Sequence, residues 1–212
     1  MPLRNRVTPF GELITTSARG AWMGNRGRLH DAERQIVRRV VRSYRAWVTC
    51  VLDFRGRRRT VMAPGRYTEL FFLDEATALA AGHRPCGECR RADYVRFKTV
   101  WVAGNPGRGL AANMPIAALD RELGRDRLDP DGRQRTIVGD LDTLPDGVFV
   151  TLGDPSEALL LWRGGLWPWS AARYGAARPR PAGAQVTILT PASTVAAIVA
   201  GYAPAVHESA GA

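Results

Sequence analysis

The chain has 212 residues, of which 45% are hydrophobic and 24% charged, the composition of a globular protein able to bury a core. It contains no apolar run near the roughly 20 residues that cross a bilayer, and its first residues lack a secretion signal, so we expect a cytoplasmic protein without a membrane partner. The net charge of +10 favours a polyanionic partner, although arginine-rich codon usage is an alternative source of that charge.

The first thirty residues contain turn signals and many arginines. A Gly-rich turn, Gly24-Asn25-Arg26-Gly27, is typical of a β-hairpin, and it also lets a backbone approach an anion closely. Arg26 is therefore a candidate phosphate ligand. His30 and Asp31 follow, and this pair is compatible with a general base and its orienting carboxylate, with a metal ligand, or with a loop His beside a helix N-cap. We keep both residues as catalytic candidates.

The next stretch predicts a strand that carries the first cysteine. Residues 47–54 alternate in polarity and place Cys50 on the inward face of a strand. The turn at 55–57 predicts a hairpin with residues 58–62. Cys50 is either a thiolate ligand held on a rigid strand or a small buried apolar residue.

A second strand and a short helix are predicted before the other two cysteines. Residues 69–73 form a short apolar run that suits a buried strand. Asp74 stands at the N-cap position of a helix over 75–81, and Gly82 supplies the left-handed residue that ends it. Arg84-Pro85 prevents the helix from continuing.

Cys86 and Cys89 are separated by two residues, the spacing at which a turn directs two thiolates at one ion. An odd total of three cysteines fits metal ligands or reduced thiols better than a disulfide framework. We therefore predict a zinc site formed by Cys50, Cys86 and Cys89. Tetrahedral zinc takes four ligands, and the candidates for the fourth are His30, His83, His207, Asp53 and water.

The segment from the second strand to the cysteine pair resembles the Ada-type zinc-binding domain. That family has an aromatic strand, a helix ending in Ala-Gly, an Arg-Pro-Cys step and a second Cys three residues on. An upstream Cys also precedes the aromatic strand in the family, in the order that Cys50 has here. The resemblance implies a zinc-binding turn and a role in DNA repair or processing. The matching residues are Phe71, Phe72, Glu75, Ala76, Ala80, Ala81, Gly82, Arg84, Pro85, Cys86 and Cys89.

Two longer helices and a β-rich remainder follow. Residues 90–102 have an aromatic stripe at helical spacing, and 115–128 form a second helix with a charged face that we expect to be solvated. A phosphate near the start of the first of these helices would meet the helix dipole together with Arg84, Arg90 and Arg91. Strands are predicted at 148–151, 158–162 and 185–189, and a last helix at 192–200.

Together these patterns predict an α+β protein. It has antiparallel β-hairpins with a Cys-rich turn and two or three helices over 1–130, followed by a β-rich module with a terminal helix over 131–212. The function they favour is zinc-dependent binding of nucleic acid, DNA rather than RNA, through Arg26, Arg84, Arg90 and Arg91. A metal-dependent hydrolase acting on nucleic acid or a nucleotide is the first alternative. A small-molecule enzyme with an incidental basic surface is the second.

Overall fold

The structure of this chain, a computed structural model, describes residues 1–211. Over this range it contains four α-helices and two six-stranded sheets, so the α+β class is confirmed. Within the same residues, no helix combines the length and the apolar character required to cross a membrane.

The first sheet is formed entirely by the N-terminal half of the chain and carries the cysteines. Its strand order is β2-β1-β5-β3-β4-β6. Most neighbours are antiparallel, but β1 pairs with β5, and β4 with β6, in parallel. The strands are β1 (Arg6–Val7), β2 (Leu13–Ile14), β3 (Trp22–Asn25), β4 (Val48–Cys50), β5 (Leu70–Phe72) and β6 (Arg84–Pro85).

The short helix α1 (Glu75–Ala80) follows β5, as the sequence predicts, and it leads into β6, which the sequence does not predict. The Asp74 carboxylate caps it by accepting a hydrogen bond from the Thr77 amide at 2.8 Å. Gly82 ends it with a φ of +80°, a conformation that costs other residues conformational energy. Every residue of α1 is buried, so this segment fixes the position of β6 within the core.

Three further helices pack around one another. They are α2 (Arg91–Gly104), α3 (Ile116–Arg127) and α4 (Ala192–Val199). Phe97 and Trp101 of α2 are buried in an apolar cluster with residues of α3 and α4. The aromatic stripe of α2 is therefore part of the core, which helps to hold its first turn next to Cys89.

The second sheet is antiparallel throughout, with the strand order β11-β10-β9-β8-β12-β7. One apolar cluster combines Leu73 and Ala76 with Phe149 and Leu160 of this sheet. The core is thus shared across residue 130, and the division into two domains remains a prediction. The strands are β7 (Ile137–Asp140), β8 (Phe149–Thr151), β9 (Leu159–Trp162), β10 (Gly165–Pro168), β11 (Arg178–Pro179) and β12 (Gln185–Ile188).

The predicted hairpin around Cys50 is wrong. Residues 58–62 do not form a strand, and the predicted strand over 47–54 is confined to β4. Arg55 and Met62 have positive φ values, which break an extended backbone, and Leu52 is exposed rather than inward. The edges of β4 pair instead with β3 and β6.

The predicted solvation of the charged face of α3 is wrong for two residues. Asp120 and Arg127 are buried, whereas the sequence predicts that both are solvated. Each has a partner outside its own helix: Arg84 for Asp120, and the carbonyl oxygen of Gly82 for Arg127. Helical spacing alone does not distinguish a solvated charge from one that is paired across elements.

Candidate metal centre

The parallel pairing of β4 with β6 brings two cysteines together. In its register Val48 lies opposite Arg84 and Thr49 opposite Pro85. The amide of Cys86 continues the ladder by donating to the Thr49 carbonyl oxygen at 2.9 Å. Cys50 is therefore the last residue of β4, beside the position where Cys86 follows β6, and neighbouring strands lie only about 5 Å apart.

A tight turn returns the third cysteine to the same point. The Arg90 amide donates to the Cys86 carbonyl oxygen at 3.2 Å and closes the turn just before α2 begins. The Glu88 amide donates to the Cys86 sulfur at 3.4 Å. A backbone amide directed at sulfur stabilises a thiolate, which is the form that binds metal.

The sulfur atoms of Cys50, Cys86 and Cys89 all lie within 4.8 Å of one another. Zinc–sulfur bonds of about 2.3 Å in tetrahedral geometry separate thiolates by about 3.8 Å, so the group needs little adjustment to hold an ion. Across residues 1–211, no fourth His, Cys, Asp or Glu belongs to this group. Each cysteine residue is half-buried, so the group lies near the surface of the protein.

The three cysteine thiols differ in the direction of their pKa shifts. Hydrogen bonding to Cys86 and then burial raise the pKa of Cys50 well above its ordinary value. The hydrogen bond from Cys50 is also the main reason that the pKa of Cys86 is lowered. Burial raises the pKa of Cys89. One sulfur is thus favoured as a thiolate while its neighbours keep their protons, and a bound cation would replace those protons and stabilise all three thiolates.

The residues considered as a fourth ligand lie elsewhere. The ring nitrogens of His30 contact the Thr68 hydroxyl at 2.6 Å and the Ala63 carbonyl oxygen at 3.2 Å. His207 contacts the Ser209 hydroxyl, and Asp53 is exposed in the loop after β4. None of them belongs to the cysteine group.

His83 is buried between two aromatic rings rather than near the cysteines. Its ring centroid lies 5.1 Å from that of Trp47 and 4.8 Å from that of Phe72. Neither ring nitrogen has a hydrogen-bond partner among the described residues. Burial, followed by the charges of Arg26 and Arg127, lowers the pKa of His83 well below 6.5, so this side chain is neutral at neutral pH.

Arg84, a predicted phosphate ligand, forms a buried ion pair. Its Nε and Nη2 donate to the two carboxylate oxygens of Asp120 at 2.7 and 2.8 Å. Both side chains are more than nine-tenths buried. This pair connects α3 to the strand that immediately precedes Cys86, and the guanidinium group is fully engaged in this structure.

Arg90 is also buried, directly after Cys89. It forms ion pairs with Glu75 at 2.8 Å and Asp93 at 2.7 Å, and it donates to the Thr49 hydroxyl at 2.7 Å. Its guanidinium group lies 4.1 Å from the centre of the Trp22 ring. These contacts fix the end of the Cys86–Cys89 turn against α1 and β4.

The other predicted site residues have separate environments. Arg91 is exposed at the start of α2, whereas Arg26 is buried. Asp31 accepts a hydrogen bond from the Gln35 amide at 2.8 Å, and His30 has the partners given above. The structure thus brings together the three cysteines. Arg84 and Arg91 both lie over the Tyr94 ring, at 5.7 and 5.4 Å from its centre. The roles of the His–Asp pair and of the four arginines in catalysis and phosphate binding remain predictions.

A basic loop beside the cysteines was missed. Four arginines of the loop after β4 are exposed, and we call this segment, residues 55–59, the arginine loop. Arg57 donates to Glu88, which lies between Cys86 and Cys89, at 2.7 Å. That hydrogen bond, together with the charges of Arg57, Arg55 and Arg59, lowers the pKa of Glu88. The signal in the sequence is the run Arg-Gly-Arg-Arg-Arg at residues 55–59, which lies within the predicted hairpin.

Comparison of the chain with protein-family models, with curated proteins and with solved structures finds no significant match.

Proposed function

We propose that this chain is a zinc-binding protein that binds nucleic acid, DNA in preference to RNA, at the surface around its three cysteines. The observation that carries the proposal is the convergence of Cys50, Cys86 and Cys89 within 4.8 Å. These residues come from two strand ends and a turn, so their proximity depends on the tertiary structure.

Zinc is the metal that this ligand set favours. Thiolates are soft ligands that select zinc, copper(I) or iron–sulfur clusters over hard cations such as magnesium. Structural zinc sites contribute about 10–16 kcal/mol of apparent binding free energy in small domains. Here the ion would join the end of β4 to the Cys86–Cys89 turn, in a sheet whose strands are only two to four residues long.

Nucleic acid is favoured by the charges next to the site. The arginine loop and Arg91 place five exposed guanidinium groups on the segments that flank the cysteines. Arg55 and Arg57 stack on Phe54, and Arg59 lies over Tyr67. Stacking of this kind restrains a guanidinium group and leaves its N–H donors available to phosphate oxygens.

The resemblance to the Ada-type zinc-binding domain supports a role in DNA repair or processing within this class. Repair by transfer of an alkyl group would require a metal-bound thiolate that a DNA phosphate can approach. The half-buried cysteines beside a basic loop are compatible with that requirement.

Fluorescence anisotropy tests the proposal with zinc-loaded protein and labelled single- and double-stranded oligonucleotides at several salt concentrations. We expect affinity to fall steeply with salt, because each phosphate contact contributes about 0.9 to the log–log slope on duplex DNA. Arg58→Ala combined with Arg59→Ala should reduce that slope by about 2. Arg173→Ala, an exposed arginine in the second half of the chain, is the control and should have little effect.

Two results would contradict this assignment. One is an affinity for oligonucleotides that is the same with and without the arginine-loop substitutions. The other is binding that is unaffected when the metal is removed by a chelator, since the proposal places the binding surface on a metal-stabilised turn.

A metal-dependent hydrolase is a second candidate. Its support is the composition of the site, which has three protein ligands and one tetrahedral position left for water, as catalytic zinc sites have. Product formation from oligonucleotides or nucleotides by the zinc-loaded protein, lost in Cys86→Ser, would favour the hydrolase. Binding without any product would favour the first candidate.

A further inference from the structure

A cleft lined by arginines lies between the segment before β4 and the C-terminal end of α3. Its volume is about 280 Å³, and its lining includes five arginines, Arg42, Arg45, Arg121, Arg125 and Arg127. The only carboxylate in that lining is Asp129, which already accepts a hydrogen bond from the Arg133 amide at 2.8 Å. Arg125 is ion-paired with Glu122, which lies outside the lining, so the other four arginines supply the excess positive charge of this concave cleft. None of the three cysteines lines it.

A small inner chamber adjoins this cleft. The two cavities share Trp47, Arg127 and Leu128 among their lining residues. The chamber has a volume of about 20 Å³, and a water-sized group needs roughly 10–15 Å³ on this measure. It therefore has room for a single oxygen atom, while the outer cleft has room for the rest of a small molecule.

Arg26 lines the chamber and lacks partners for its charge. It is 2% exposed, and with the residues that the structure describes its side chain forms one hydrogen bond, from Nη2 to the Gly11 carbonyl oxygen at 2.9 Å. Its Nε is buried without a partner among the described residues. Burial, with the nearby charges of Arg39 and Arg127, lowers the pKa of Arg26 to about 9. A buried cation in this state is destabilising until an anion neutralises it.

Arg127 reinforces the positive charge at the same point. The guanidinium groups of Arg26 and Arg127 lie 4.9 and 4.5 Å from the Trp47 ring. In the described part of the chain, the Arg127 side chain donates only to backbone carbonyl oxygens, including those of Gly82 and Arg45. Among residues 1–211 neither arginine forms a salt bridge with a carboxylate. Arg39 at the chamber has only an exposed pair with Glu12 at 3.7 Å.

We propose that this cleft is a binding site for a phosphate group, with Arg26 and Arg127 at its inner end and Arg42 and Arg45 at its mouth. Guanidinium groups recognise phosphate through paired N–H donors, and several of them suit a dianion better than a carboxylate. The phosphate can belong to the free ion, to a nucleotide or to a nucleic acid. Because it does not involve the cysteines, this site is independent of the zinc-dependent function proposed above.

Isothermal titration calorimetry of the intact, zinc-loaded chain tests the proposal, with inorganic phosphate, adenosine monophosphate and a short oligonucleotide as three separate ligands. We expect saturable binding of inorganic phosphate with equimolar stoichiometry, while chloride at the same ionic strength gives none. Tighter binding of the nucleotide would identify a phosphomonoester as the source. Tighter binding of the oligonucleotide, in competition with inorganic phosphate, would identify a nucleic acid.

The matched variants are Arg26→Met and Arg28→Met, which remove the same charge two positions apart. Arg28 is exposed and absent from both cavity linings, so its variant should bind normally. Arg26→Met should weaken phosphate binding by at least about tenfold, the loss expected for one hydrogen-bonded charge. It should fold normally without phosphate, because replacing an unpaired buried charge by an apolar group is often neutral or stabilising.

Arg45→Met provides a second variant at an exposed position, where folding is not at risk, and it should weaken binding several-fold. Phosphate binding that is equally tight in Arg26→Met and the unmodified chain would overturn the proposal. So would a heat of titration that chloride reproduces at the same ionic strength.

Discussion

The buried ion pair between Arg84 and Asp120 gives the sharpest test of how the cysteine site is supported. Asp120→Ala removes a carboxylate that accepts two hydrogen bonds, at 2.7 and 2.8 Å, from a guanidinium group whose side chain is only 6% exposed. Breaking one side of such a pair leaves an uncompensated buried charge and costs about 3–5 kcal/mol. At about 2–4 °C per kcal/mol for a chain of this size, the melting temperature should fall by roughly 10 °C.

The measurement is denaturant and thermal unfolding of the zinc-saturated protein, so that metal occupancy is the same in each sample. Glu157→Ala is the matched control, since Glu157 also forms a bidentate pair, with Arg178, but at the surface. That variant should have nearly the stability of the unmodified chain, because solvent-exposed ion pairs contribute little. Arg84→Met combined with Asp120→Leu should recover much of the stability. An Asp120→Ala variant no less stable than Glu157→Ala would refute the structural role of the pair.

Three further outcomes follow from the residues around the site. The free energy of unfolding should decline as the pH falls below about 6.5, because burial lowers the pKa of His83 in the folded chain and only the unfolded chain then binds a proton at this residue. Unfolding curves from about pH 7 to 5 should show that His83→Phe flattens this decline. Tyr202→Phe removes a 2.6 Å hydrogen bond to the Glu75 carboxylate and should cost about 1.5–3 kcal/mol by chemical denaturation. Gly82→Ala should cost about 2 kcal/mol or more by the same assay, since the residue has a φ of +80° and the new Cβ would lie 2.8 Å from Arg127 Cβ.

Local signals in the sequence predicted the surroundings of the cysteines well. The cap at Asp74, the left-handed Gly82 and the helix predicted over 75–81, which forms over 75–80, are confirmed, because each depends on residues within one turn of the chain. The buried aromatic stripe of α2 is confirmed, because apolar residues at helical spacing indicate which face of a helix is buried. Strand β8 is confirmed as well, because a short apolar run is typical of a fully buried strand.

The features that place Cys50 beside Cys86 were not predictable in the same way. They depend on parallel pairing between β4 and β6, which are only three and two residues long and far apart in sequence. Periodicity cannot specify the partner of so short a strand. Equally, nothing in the spacing of Asp120 on its helix distinguishes a buried partner of Arg84 from a solvated carboxylate. In both cases the missing information is long-range.

The most direct test of the account is the zinc content of the protein, measured by mass spectrometry after purification without a metal-chelating tag. The account predicts zinc equimolar with the chain, and it predicts that Cys50→Ser, Cys86→Ser and Cys89→Ser each lower both the zinc content and the melting temperature. A metal-free protein whose melting temperature is the same in all three variants would contradict it.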